Sequence, residues 1–457
     1  MQPMAPREAA KSGPALMRAR DAVEMELEGR TRDRMAVEQA RRRSFLRVFW
    51  LLIGPGLLVM LGENDAPSML SYSATGAQFG IGFFIPFVVL TFGMAFVAQE
   101  ITVRLGSVTQ AGHAELIFRR FGKFWGRFAM GDLLVTNFLT LITEFVGMVA
   151  GAGFFGIPAW MAVAAGLALN IVAVAWHRYW SWERVALAAA LVNLVFIPIA
   201  IASHPNWGML GHSLFTFSPM PQGGFDSANL TLLLADIGAT VTPWMLFFQQ
   251  GAVQDKGLTP KDLRHGRIDT ALGAALATAA GLAAIVATSV LFTHGMNASQ
   301  YGAAQFAQAM EPYVGHLMAA LFAIGIWEAG LVASLTISSS SAYAVGEVTG
   351  APHSLNLSLK RAPTFYVALL GVVALAGAVV LLPGFPLEAV VIVVNVIAVL
   401  TMPPAIAFLL LLVNDVDVVG RHRNTLLLNL FGVSVGVLLT LAGILYALTA
   451  VVPSLHL

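Results

Sequence analysis

The chain has 457 residues, of which 57% are hydrophobic and 11% charged, against about 25% charged residues in an ordinary soluble protein. That composition excludes a water-soluble globular protein, and one integral membrane domain replaces the usual division into domains of about 150 residues. Lys+Arg (26) and Asp+Glu (25) nearly cancel, so no basic field argues for nucleic acid; cysteine is absent, which leaves oxygen, imidazole or thioether groups to meet any metal.

Residues 1–48 are polar and rich in Arg and Glu, with Arg41-Arg42-Arg43 just before the first apolar run. They lack the short apolar core of a signal peptide and read as a retained cytoplasmic tail, either a solvated helix or an anionic-lipid contact through its arginines. About eleven segments follow that can cross a hydrocarbon core, which takes about 20 helical residues. They are 50–72, 81–103, 129–152, 157–176, 185–203, 228–252, 269–292, 314–345, 364–382, 387–413 and 425–451. Lipid cannot satisfy backbone polar groups, and continuous apolar runs without alternation select helices over a closed barrel. The charges give an independent check: all 26 Lys and Arg fall in the tail and in every second loop, as the positive-inside rule requires for an N-terminus inside. The chain divides accordingly into the tail (1–48), helices 1 to 6 (49–252), helices 7 to 10 (253–413) and a last helix with the C-terminus (414–457).

Polar groups at membrane depth cost about 2.5–3.5 kcal/mol each on insertion scales, so those present need a reason. The first helix reads Gly62-Glu63-Asn64-Asp65-Ala66-Pro67-Ser68, and the sixth reads Asp236-Ile237-Gly238-Ala239-Thr240-Val241-Thr242-Pro243-Trp244. Each carries a mid-span proline, which has no N–H to donate. Either proline alone reads as a kink satisfied by neighbouring helices. Two breaks five helices apart point instead to a five-plus-five inverted repeat, with unwound segments meeting at the midplane where secondary transporters bind ions.

Asp65 offers a hard anionic oxygen, Ser68 and Thr242 neutral ones, and the carbonyls near Gly62 and Ala239 complete an oxygen-only set suited to a hard divalent cation. Asn395, Trp244, Glu63, Asn64 and Glu144 are accessory candidates. Glu63 and Asp236 stand near enough to the break ends to reach solvent or a helix N-terminus instead, and Glu144 and Glu328 read equally as structural acids bonded across helices. Met69 and Met245 fall at packing positions. No His-Glu-x-x-His or Gly-x-Ser-x-Gly pattern marks an enzyme, and no cofactor is called for.

At these residues the sequence resembles the natural resistance-associated macrophage protein (NRAMP) family of divalent-metal transporters, from Gly54-Pro55-Gly56 to about Asn414. Arg104-Leu105-Gly106-Ser107-Val108-Thr109, Glu144-Phe145-Val146-Gly147 and Leu321-Phe322-Ala323-Ile324-Gly325 carry the likeness besides the two breaks. The resemblance implies a LeuT-type fold. It also locates departures: the family's Asp-Pro-Gly-Asn appears as Asp65-Ala66-Pro67-Ser68, and its Met-Pro-His-Asn as Thr242-Pro243-Trp244-Met245. The thioether that favours transition metals is thereby lost. Of the family's proton route, Trp244, Gln249, Leu141 and Phe365 replace titratable or basic residues, and Glu144 alone is kept; Asn395 stands at a family Gln and Leu331 replaces another.

These departures resemble a divergent branch, the NRAMP-related magnesium transporters. The expectation is a monomeric, multi-pass importer in the cytoplasmic membrane, N-terminus inside, that moves Mg²⁺ and also Mn²⁺ as a largely hydrated ion without obligatory proton cotransport. The rivals are a proton-coupled Mn²⁺ or Fe²⁺ carrier and an organic-solute transporter on the same fold.

Overall fold

The computed structural model describes residues 35, 37–39, 44–175, 178–221, 227–296 and 301–451; the tail before residue 35 and the Arg41–Arg43 cluster lie outside the described residues. Inside a bilayer every backbone amide must find an internal partner, and the chain meets that demand with helices and no strand among the described residues. In order these are α1 (Pro55–Gly62), α2 (Ala66–Phe79), α3 (Phe84–Thr109), α4 (Lys123–Gly153), α5 (Ala159–Val174), α6 (Tyr179–Ala190), α7 (Phe196–Ala202), α8 (Ser227–Gly238), α9 (Pro243–Lys256), α10 (Leu263–Thr293), α11 (Ala303–Val314), α12 (His316–Thr349), α13 (Pro363–Val380), α14 (Leu387–Asn414) and α15 (Leu426–Val451). Short helices Phe45–Leu52, His113–Phe121, Trp207–Thr216 and Val416–Val419 accompany them.

Among the described residues, eight helical stretches are long and apolar enough to cross a membrane, and Ala159–Val174 and Leu426–Leu441 are shorter apolar ones. With the split pair α1 and α2 they match the about eleven crossings expected. The sixth crossing is split as well, into α8 and α9. The first and sixth spans are thus the broken ones of a LeuT-type inverted repeat.

Several boundaries differ from the sequence expectation: the second span runs on to Thr109, the third starts at Lys123 and the seventh at Leu263, and two further differences have a local cause. Residues 50–72 are not one span: Gly54 takes φ +156°, a conformation glycine alone adopts freely, and Pro55 then opens α1 as a new helix. The fifth span starts at Tyr179 rather than 185 and tightens into a 3₁₀ turn over Leu191–Val195, where Pro198 cannot donate to the Leu194 carbonyl.

The start of α1 is held from outside itself. The Asp269 carboxylate in α10 accepts from the backbone N–H groups of Gly54 (3.0 Å), Gly56 (2.7 Å) and Leu57 (3.2 Å), an N-cap supplied by another helix. Beside it the buried Lys256 pairs with Glu183, lies 4.4 Å from the Trp180 ring and donates to the Ile53 carbonyl at 3.3 Å. Replacing Asp269 by Ala leaves three donors unmet and should cost about 2 kcal/mol or more, read as a lower unfolding midpoint of the purified protein.

His113, between the second and third spans, is fully buried, with Nδ1 3.1 Å from Gln250 Oε1. Gln250 donates its amide to the Ala111 carbonyl, so its Oε1 accepts and Nδ1 carries the proton. Burial pushes the ring down from 6.5 to about 4. Neutral His113 therefore contributes stability that is complete above 6.5 and is lost as pH falls through about 4. His113→Gln should flatten that part of a plot of unfolding midpoint against pH.

Candidate metal site at the two helix breaks

The two breaks close on each other. Asp65 N-caps α2: its Oδ1 accepts from Ser68 N at 2.9 Å, with Pro67 in the first turn. Thr242 N-caps α9 by its backbone (φ −121°, ψ 151°), yet its side chain makes no capping bond. A threonine there ordinarily accepts from an N–H of the first turn; here the hydroxyl donates instead to both oxygens of Glu63, at 3.0 and 2.8 Å. Glu63 is fully buried, so it does not reach solvent; it meets the N-cap residue of α9 instead. The residue two before Asp65 is the one that joins the breaks.

The N-termini of α2 and α9 bring positive dipole ends to this level, and the C-termini of α1 and α8 bring freed carbonyls. Ala239's carbonyl accepts from Tyr72 Oη at 3.0 Å. Gly62 lies under Trp244: a Cβ at Gly62 would come 3.5 Å from Trp244 Cη2 and 3.4 Å from Thr336 Oγ1. Trp244 Nε1 has no acceptor among the described residues. Asp65, Ser68 and Thr242 are all buried, so this level is closed to solvent.

Glu144 belongs here. Its Oε2 accepts from Ala66 N at 3.1 Å, the amide that follows Asp65, so a second acid stands beside the break. Gly147, one turn on, makes this approach feasible, because a Cβ there would lie 2.2 Å from that of Ala66.

Other candidates are placed elsewhere. Asn64 donates its amide to Ala277 O in α10 at 2.8 Å, which ties the break to that helix. Asn395 donates to Ser71 Oγ at 2.9 Å and Pro67 O at 3.3 Å. Asp236 is fully buried, with Thr75 donating to its Oδ2 at 2.8 Å. Glu328 makes no cross-helix bond: neither oxygen has a partner among the described residues, because its neighbours supply no donor.

A cavity of about 320 Å³ opens above the Asn395–Ser71 pair, lined by Ser71, Ala74, Val146, Gln305, Gln308 and Val391 among others. Its floor lies one turn beyond Ser68. Among the described residues no three of His, Cys, Asp and Glu are arranged to hold a metal together, although Glu63, Asp65 and Glu144 all stand at the level of the breaks. Tyr72 and Thr75 were not singled out in the sequence, although they continue the face of Asp65 and Ser68 at helical spacing. Thr242→Val removes the donor facing Glu63 and should cost about 1–3 kcal/mol; an unfolding midpoint equal to wild type would place that hydroxyl elsewhere.

Comparison with known proteins agrees with this architecture. The sequence model described as natural resistance-associated macrophage protein-like matches residues 56–449. The divalent metal cation transporter MntH of Brucella suis is 28% identical over 299 residues, 62% of this chain and 64% of that protein, so the alignment spans less than two-thirds of its length. MntH of Aeromonas hydrophila is 24% identical over 394 residues, 82% of this chain and 89% of that one. The manganese transporter of Eremococcus coleocola superposes with a TM-score of 0.72 at 20% identity, covering 88% of this chain and 87% of that one. The match across both breaks and nearly all spans places this chain in the Nramp family.

Proposed function

We propose that the protein carries divalent cations across a membrane by alternating access, that Mg²⁺ is its main cargo with Mn²⁺ also accepted, and that the cargo keeps much of its water. The observation that carries this reading is Thr242, a hydroxyl bonded to Glu63, where the family resemblance implies a thioether. Mg²⁺ prefers six oxygens at about 2.0–2.1 Å and sheds water reluctantly. Asp65, Ser68, Thr242 and the carbonyls of Gly62 and Ala239 are the candidate contacts, direct or through water, with Glu63 adjoining and Trp244 as the wall.

The cavity supports a hydrated cargo. At about 30 Å³ per water, its 320 Å³ has room for about ten waters, more than one octahedral shell. Its lining is mostly apolar and uncharged, with Ser71, Tyr301, Gln305 and Gln308 as the side chains able to meet outer-shell water. A membrane potential of 100 mV, negative inside, gives a divalent ion about 4.6 kcal/mol, so uptake against a gradient needs no coupled proton. In this reading the N-terminus and the basic loops face the cytoplasm.

Glu144, bonded to the amide that follows Asp65, favours one rival, a carrier in which cation binding displaces a proton. Proteoliposomes with an interior pH dye separate the two. Mg²⁺ and Mn²⁺ influx is expected without acidification, and proton movement that tracks influx would establish the rival. Asp65→Ala should abolish both fluxes. Thr242→Met should shift preference from Mg²⁺ toward Mn²⁺ by about tenfold or more, equivalent to about 1.4 kcal/mol; wild-type uptake of Mn²⁺ with none of Mg²⁺ would overturn the selectivity argument.

A further inference from the structure

Among the buried acids outside the site and its supports, Glu328 and Glu347 in α12 and Asp236 in α8 each have an oxygen with no partner among the described residues, and Asp236 stands on a broken span. Asp236 is fully buried. Thr75 Oγ1 in α2 donates to its Oδ2 at 2.8 Å, while Oδ1 meets no donor among the described residues. Asp236 stands in the last turn of α8 (Ser227–Gly238), where freed carbonyls put the negative end of the helix dipole. The helix therefore opposes a bare carboxylate there and favours a cation.

The hydroxyls around this acid have their protons directed elsewhere. Thr75 gives its proton to Oδ2, Tyr72 to the Ala239 carbonyl at 3.0 Å, and Thr240 to the carbonyls of Ile237 (3.0 Å) and Asp236 (3.4 Å). No donor in this set is left for Oδ1. A proton on Oδ2 would force Thr75 to turn round and still leave Oδ1 unmet; a proton on Oδ1 is the competing occupant that the pH arm of the test separates from a metal cation. A divalent ion would leave one positive charge unbalanced in a low-dielectric interior.

We propose that Asp236, with Thr75 and Tyr72, forms a second cation site that takes a sodium-class monovalent ion between α2 and α8. These are the cavity-side halves of the two broken spans, so a bound ion ties them together and its release lets them part. The site is independent of the divalent-cation reading, because sodium binding is measured with no divalent ion present.

The test heats purified full-length protein, freed of divalent cations, in choline chloride and in sodium chloride at equal ionic strength. Sodium should raise the wild-type unfolding midpoint, as a ligand specific to the folded state does. Asp236→Asn should lose that rise while keeping the rise produced by Mg²⁺. Thr75→Val, which keeps the charge but removes one oxygen, should need about tenfold more sodium for the same effect. Sodium and choline acting alike on wild type overturns the proposal, as does an Asp236→Asn protein that still responds to sodium. A wild-type midpoint that follows pH alone also overturns it and assigns the position to a proton. If Asp236→Asn does not fold, Thr75→Val decides the matter, and an unshifted sodium curve refutes the site. Loss of the Mg²⁺ response in wild type bears on the divalent reading and leaves this one standing.

Discussion

A hydrocarbon interior offers nothing to a peptide group that has lost its helix, and this constraint organises the molecule. Two spans are interrupted by prolines, and each interruption strands donors on one side and carbonyls on the other. The chain settles most of these groups by bringing the interruptions together. Thr242 leaves the end of its own helix without a side-chain cap and places its hydroxyl on Glu63 across the gap. Asp65 caps α2, Glu144 arrives from α4 to take the Ala66 amide, and Tyr72 covers the Ala239 carbonyl. The long helices α4, α10 and α12 stand where they do in part because each brings a side chain or close backbone to this level.

Much of this was legible in the sequence. The apolar runs, the alternation of basic loops and the prolines at 67 and 243 are local or periodic signals, and they led to the span count, the repeat and the identity of the broken spans. Directions within the breaks were not legible. Glu63, Asn64 and Asp65 are consecutive, yet as the chain leaves helical phase they turn to three different partners: the sixth span, α10 and the first turn of α2. No local pattern encodes a contact such as Glu63 to Thr242, which joins residues 179 positions apart. The missing partner of Glu328 was hidden for the same reason, since a lone acid in an apolar run looks alike whether or not a donor stands opposite it.

The chemistry at the breaks follows from which atoms are present and how tightly they are enclosed. Oxygen dominates, three carboxylates stand at the breaks, and an indole rather than an imidazole stands after Pro243. In the reading proposed above, such a set would discriminate by hardness and hydration more than by bond strength.

The cap on α1 carries a further implication. Because Asp269 holds three amides of that helix at once, α1 cannot tilt away from α10 by stretching one bond; the three let go as a unit or not at all. Departure would bare a carboxylate and a helix end of opposite polarity in the same instant, and only water reaching both could compensate them. Opening at that end would therefore be a wetting event, in which solvent must reach behind Pro55 to meet both groups at once.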